Sequence, residues 1–85
     1  MKEQDYQNKL IKKYEAQGYF VLNLIKTNCN GISDLLVLKA DEIPMFIEVK
    51  TPSGVISEIQ KYRMKKLKEK GFKCYYTKGV ELIQA

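Results

Sequence analysis

Glu48 and Lys50 stand two apart in MFIEVK, residues 45–50, a run otherwise apolar enough to be a strand. Side chains alternate along a strand, so Ile47 and Val49 share one face while Phe46, Glu48 and Lys50 share the other. Asp34 opens a second apolar run, SDLLVLK, residues 33–39. If the two runs pair as a hairpin, the start of one lies opposite the end of the other. Asp34 then falls beside Glu48 and Lys50. Two carboxylates in one place repel unless something cationic sits between them. A hard divalent ion, Mg²⁺ or Mn²⁺, suits such oxygen ligands. It can activate water and stabilise charge on a phosphate, and Lys50 would add fixed positive charge. The same spacing also suits a plain surface salt bridge between Glu48 and Lys50, worth at most about 1 kcal/mol. This stretch alone leaves both readings open.

What the chain lacks narrows the chemistry. There is no histidine, so no imidazole base and no Ser-His or Cys-His nucleophile. Cys29 and Cys74 are too few for the usual zinc site and are expected as free thiols in a reducing compartment. No apolar run approaches a membrane span, and MKEQDYQNKL has no apolar signal-peptide segment. The expectation is a cytoplasmic protein whose chemistry runs on carboxylates, lysines, tyrosines or a hard metal ion.

Eighty-five residues allow one domain, residues 1–85. Residues 3–17 are predicted as a helix, on the spacing of Tyr6, Leu10, Ile11 and Tyr14, with Gly18 as its stop. Strands are predicted at 19–26, 33–39 and 45–50, then a Pro- and Gly-containing loop at 51–56. A second helix follows at 57–70, stopped by Gly71, and a fourth strand at 73–77, with a short C-terminal turn or helix beyond it. The order is αβββαβ. The first three strands can form an antiparallel meander, and the third and fourth, joined through a helix, should pair in parallel by a right-handed crossover. The predicted class is α/β, a mixed four-stranded sheet flanked by helices.

Both helices carry polar residues on their apolar arcs. At 100° per residue, Glu3 and Gln7 fall within the arc of about 140° defined by Tyr6, Leu10, Tyr14 and Ile11. They are either delivered to a site or, for Glu3, part of a frayed end. On the second helix Gln60 and Arg63 fall on the arc of Ile59, Leu67 and Met64. Gln60 is also well placed for a capping box with Ser57.

The net charge is +5, and KYRMKKLKEKGFK, residues 61–73, holds seven Lys/Arg against one Glu. Such a stripe points to a polyanion or is simply a solvated helix face. Arginine, the usual reader of guanine, appears there only as Arg63, which leans toward phosphate contact. Lys26, Lys61, Arg63, Lys65 and Lys66 are the candidate contacts to such a polyanion.

Asp34, Glu48-Val49-Lys50 and Ser57-X-X-Gln60, with Glu3 and Gln7 upstream, resemble the PD-(D/E)XK nuclease superfamily. Within it the match is to the VRR-NUC domain family. The stretches that carry it are Gly31-Ile-Ser-Asp34-Leu-Leu, Phe46-Ile-Glu48-Val-Lys50, Gly54-Val-Ile-Ser57-Glu-Ile-Gln60 and Leu67-X-X-X-Gly71. An E-V-K strand alone is a weak signal; four blocks in order are a strong one. The resemblance implies a restriction-endonuclease-like core and Mg²⁺ or Mn²⁺ held by Asp34, Glu48 and the Val49 carbonyl, with Glu3 helping directly or through water. It implies that Lys50 positions the attacking water and that Gln60 supports the site. Gln7 and Ser57 have supporting places in the same pattern. Ser33 departs from the proline usual before the aspartate.

Minimal standalone members of the family look like phage-borne homodimers acting on branched DNA in the host cytoplasm. The reading is therefore a metal-dependent endonuclease for branched DNA, such as Holliday-type four-way junctions. The alternatives are a flap or nicking nuclease without junction preference, a non-catalytic DNA-binding module of the same fold, and a small dimeric adaptor that binds protein.

Overall fold

The structure, a computed structural model, describes residues 1–85. Helix α1, Glu3–Ala16, contains no glycine or proline and carries Glu3 and Asp5 in its first turn, where the helix dipole favours acids. The Asp5 carboxylate accepts the Lys2 N–H at 2.9 Å. The chain then forms β1 (Phe20–Asn23), β2 (Leu35–Leu38) and β3 (Met45–Glu48), crosses through helix α2 (Glu58–Glu69), and ends in β4 (Lys73–Lys78) and β5 (Glu81–Gln84). These make one five-stranded sheet in the order β1-β2-β3-β4-β5. Every neighbouring pair is antiparallel except β3 and β4, which run parallel on either side of the α2 crossover.

The meander, the crossover and the α/β class agree with the expectation, but the sheet has five strands rather than four. The C-terminal segment is not a turn or helix. It returns as β5 through a two-residue loop, Gly79–Val80, between the paired Lys78 and Glu81. Gly79 has φ +66°, the left-handed conformation that such tight hairpin turns demand at this position. The first strand is also shorter than predicted, ending at Asn23 rather than residue 26.

Alternation sorts the sheet into two faces. Leu35, Val37, Ile47 and Val49 point to one side and bury against Leu10 and Tyr14 of α1, with Tyr6, Ile11 and Val21 packed around them. On the other side α2 packs on β4 and buries Met64. Phe46 meets Phe72 edge to face there, with ring centroids 5.9 Å apart. The site residues stand where β2, β3 and β4 come together.

Candidate active site

Pairing register puts the two carboxylates together. Leu35 is opposite Ile47, so Asp34, one step before β2, lies across from Glu48 at the end of β3. The Asp34 side chain is fixed by the backbone it reaches, because Val49 N–H donates to its Oδ2 at 2.8 Å. Its own carbonyl accepts Leu24 N–H at 2.7 Å. Lys50 is held from β4. Its N–H donates to Thr77 Oγ1 at 3.0 Å, and the Thr77 hydroxyl donates to the Lys50 carbonyl at 3.3 Å. Gly79 N–H adds a third bond, to the same carbonyl, at 2.9 Å.

The Glu48–Lys50 pair is not a surface salt bridge. Their charged atoms are 3.9 Å apart, and the side chains are only 2% and 16% exposed respectively. One carboxylate oxygen, Glu48 Oε1, is buried without any hydrogen-bond partner. Burial pushes the Glu48 carboxyl up to about 9. The hydrogen bond it can make to Asp34 as an acid, the Asp34 charge and the more distant Glu3 charge push the same way, while Lys50 opposes them. Such a carboxyl carries its proton near neutral pH unless a cation arrives to favour the ionised form.

The other predicted site residues are placed less uniformly. Glu3 and Gln7 are half-buried at the start of α1. Gln7 Oε1 accepts from Asn23 Nδ2 at 3.4 Å, so it faces the end of β1. Glu3 bears on Glu48 through its charge, but no three acidic or thiol groups come together as a metal cluster. Asp34, Glu48 and the Val49 backbone therefore form the compact set, and Glu3 stands apart from it. Ser57 and Gln60 form the capping box of α2: Gln60 N–H donates to Ser57 Oγ at 3.2 Å and Ser57 N–H to Gln60 Oε1 at 2.9 Å. No hydrogen bond joins Gln60 to Asp34, Glu48 or Lys50. Ser33 is fully buried on the α1 side, with an unpartnered hydroxyl.

The basic stripe divides between surfaces. Lys61, Lys65 and Lys68, at i, i+4 and i+7, share one side of α2, and the other cations point elsewhere. Arg63 turns inward and its Nε donates to the Asn30 carbonyl at 2.7 Å, tying α2 to the β1–β2 loop. Lys61 pairs with Glu58 at 3.3 Å and Lys66 with Glu69 at 3.5 Å. Lys26 and Lys65 are exposed and form no ion pair. The loop under Arg63 is tight: a Cβ on Gly31, at φ +78°, would lie 2.9 Å from the Ile59 carbonyl oxygen. Both cysteines are free. Burial pushes the Cys74 thiol up, with Lys68 acting against it.

Sequence reasoning missed Thr77, which is fully buried and holds the Lys50 backbone. Nothing local marks it. Its role depends on the parallel register of β3 and β4, which sets Glu48 against Tyr76 and so brings Thr77 to the residues that follow Glu48.

Known proteins bear on this arrangement at the level of the family. The VRR-NUC domain model matches residues 20–81, a span that contains Asp34, Glu48, Lys50 and Gln60 and leaves out Glu3 and Gln7. A comparison with curated proteins gives no match. With its matched span covering well over half of its length and its αβββαβ order extended by one hairpin strand, the chain belongs to the VRR-NUC domain family, nuclease-type domains of the PD-(D/E)XK superfamily whose substrate is DNA.

Proposed function

We propose that this protein is a metal-dependent, structure-specific endonuclease that hydrolyses phosphodiester bonds in branched DNA, four-way junctions among them. The observation that carries the reading is the convergence of Asp34, Glu48 and Lys50 at the ends of β2 and β3, with a buried Glu48 oxygen that no protein donor satisfies. An unpartnered carboxylate oxygen beside a second carboxylate fits a hard, oxygen-seeking dication. Asp34, Glu48 and the Val49 carbonyl would hold Mg²⁺ or Mn²⁺, with Glu3 assisting through water. When bound, such an ion supplies Lewis-acid stabilisation of phosphate charge and a more acidic water.

The chain's own groups do the rest. Lys50 places an ammonium beside the carboxylates, where it orients the attacking water and offsets charge developing on the phosphate. Thr77 and Gly79 fix the Lys50 backbone, and the Val49 N–H fixes Asp34. Geometry of this kind lowers a barrier by removing misoriented states before reaction. Gln60 supports the site as the residue that locks the start of α2. Lys26, Lys61, Lys65 and Lys66 contribute phosphate contacts that weaken as salt rises. The active form is a homodimer, since β1 exposes Phe20 and Leu22 on the sheet face that α2 leaves open. Two copies related by a two-fold axis would present two equal sites to a near-symmetric junction.

The test is cleavage of a synthetic four-way junction beside a flap and a linear duplex, with Mg²⁺, Mn²⁺ or EDTA. Metal-dependent cutting of branched substrates should be lost in Asp34→Asn, Glu48→Gln and Lys50→Ala while DNA binding persists. Any of the three variants cutting at the parent's rate would show that the site is wrongly placed. Tight binding without cutting under every condition would identify a non-catalytic DNA-binding module.

A further inference from the structure

A cleft of about 790 Å³ lies between α2, the 51–57 loop and the β4–β5 hairpin. Its size is that of a small-ligand site. Its apolar part is Val55, Ile56, Met64 and the ring of Tyr76. Tyr76 is the register partner of Glu48 across β3 and β4, so the two side chains stand side by side on one sheet face. The cleft therefore begins one strand away from the carboxylate, about 5 Å.

Its charge is one-sided. Lys61, Lys65, Lys68 and Lys78 line it, against Glu69 alone. Glu69 is already paired with Lys66 at 3.5 Å, and Lys68 donates to the Ala85 carbonyl. Lys65 and Lys78 have no acidic partner. Apolar lining together with free ammonium groups matches a ligand that is aromatic in one part and anionic in another. An unpaired nucleotide is such a ligand, because its base can stack on a tyrosine while its phosphates meet lysines. A paired, stacked nucleotide keeps its faces inside the duplex and offers the cleft only phosphates.

We propose that this cleft receives an unpaired nucleotide of the DNA strand whose neighbouring phosphodiester lies at Asp34, Glu48 and Lys50. The inference rests on the nuclease reading for that last part and not for the binding itself. It assigns a preference for flaps and other branches with unpaired strands to a physical cause: these expose unstacked bases, and continuous duplex does not.

The experiment measures binding and cutting separately. Duplexes carrying one 2-aminopurine, either fully paired or in an unpaired position at a flap, are titrated with the full chain in the Lys50→Ala background. The unpaired DNA should bind about tenfold more tightly, the worth of one base stack, with a change in 2-aminopurine fluorescence. Tyr76→Leu, Val55→Asn and Lys78→Ala should each remove much of that preference while leaving paired duplex little affected. Equal binding of the two DNAs, or variants that weaken both alike, would overturn the proposal. Melting temperatures report whether each variant folds. Val55 and Lys78 are exposed, so those two variants decide the matter if Tyr76→Leu does not fold. Cutting by the protein with native Lys50 is scored on the same DNAs. Cleft-dependent binding without cutting would sink the nuclease reading alone, and cutting indifferent to the cleft variants would sink the cleft alone.

Discussion

Glu48 is the residue on which stability and activity pull in opposite directions. A fully buried carboxyl with one unpartnered oxygen is costly to ionise, and its acidity is displaced from the ordinary 4.5 up to about 9 by burial first, then by Asp34. The sign of the consequence follows from proton counting. Between those two values the folded chain holds a proton that the unfolded chain has released, so stability falls as pH rises. The contribution is fully present below about 4.5 and is lost by about 9. In EDTA, the melting temperature should therefore drop steadily from pH 5 toward pH 9, beyond the drift of Glu48→Gln, which has no such proton to lose. Added Mn²⁺ at the alkaline end should raise the melting temperature of the parent, by binding the folded state only. It should leave Glu48→Gln much less changed. A parent whose pH profile matched that of Glu48→Gln would mean that the carboxyl is ionised throughout and solvated in a way its burial denies.

Among the elements, β4 contributes most to the site without supplying a reactive group. Thr77 accepts the Lys50 N–H and donates back to the Lys50 carbonyl. Thr77→Val keeps the shape but leaves that N–H buried without an acceptor, at a cost of about 1–3 kcal/mol. The carbonyl still has Gly79 N–H, so the loss falls on one bond. Thr77→Val should lower the melting temperature and also reduce kcat by more than it changes KM, because it loosens the backbone that aims Lys50. Thr77→Ser should restore both, and a Thr77→Val protein with undiminished kcat would make the threonine merely structural. None of this was legible along the chain, since a threonine in KCYYT reads as any strand residue until the register of β3 and β4 is known. The strand carrying Glu48 and Lys50 was legible, because alternation alone separates Ile47 and Val49 from the polar pair. The meeting with Asp34 was legible for the same reason, as hairpin pairing leaves few registers. β5 escaped because it is four residues long and its only signal is a glycine opening a two-residue turn. The basic stripe misled in the opposite sense: seven charges close in sequence divide between the sides of a helix, and Arg63 is occupied by the Asn30 carbonyl.

For the whole molecule, the open question is what covers the rest of the sheet. α1 covers one face, and α2 lies over β4 on the other. Phe20 and Leu22, whose register partners are Leu38 and Leu36, remain exposed on the α2 side, at 63% and 39%. These two strands, FVLN and LLVL, contain no charged residue, although the chain carries +5 overall. Two like-charged copies would repel each other everywhere except across such a face. A small domain also gains disproportionately from burying apolar surface on a partner. This arrangement separates two salt dependences. Screening weakens repulsion between copies, so dimerisation through Phe20 and Leu22 should hold or tighten as salt rises from about 0.1 M to about 0.5 M. DNA binding should weaken steeply over the same range as counterion release loses its advantage. Sedimentation equilibrium and DNA anisotropy at matched salt concentrations measure the two trends. Phe20→Glu with Leu22→Glu should give a folded monomer that cuts a junction poorly while still holding DNA weakly. A dimer that survives that double change, or one that dissociates with rising salt, would place the contact on a charged surface elsewhere on the chain.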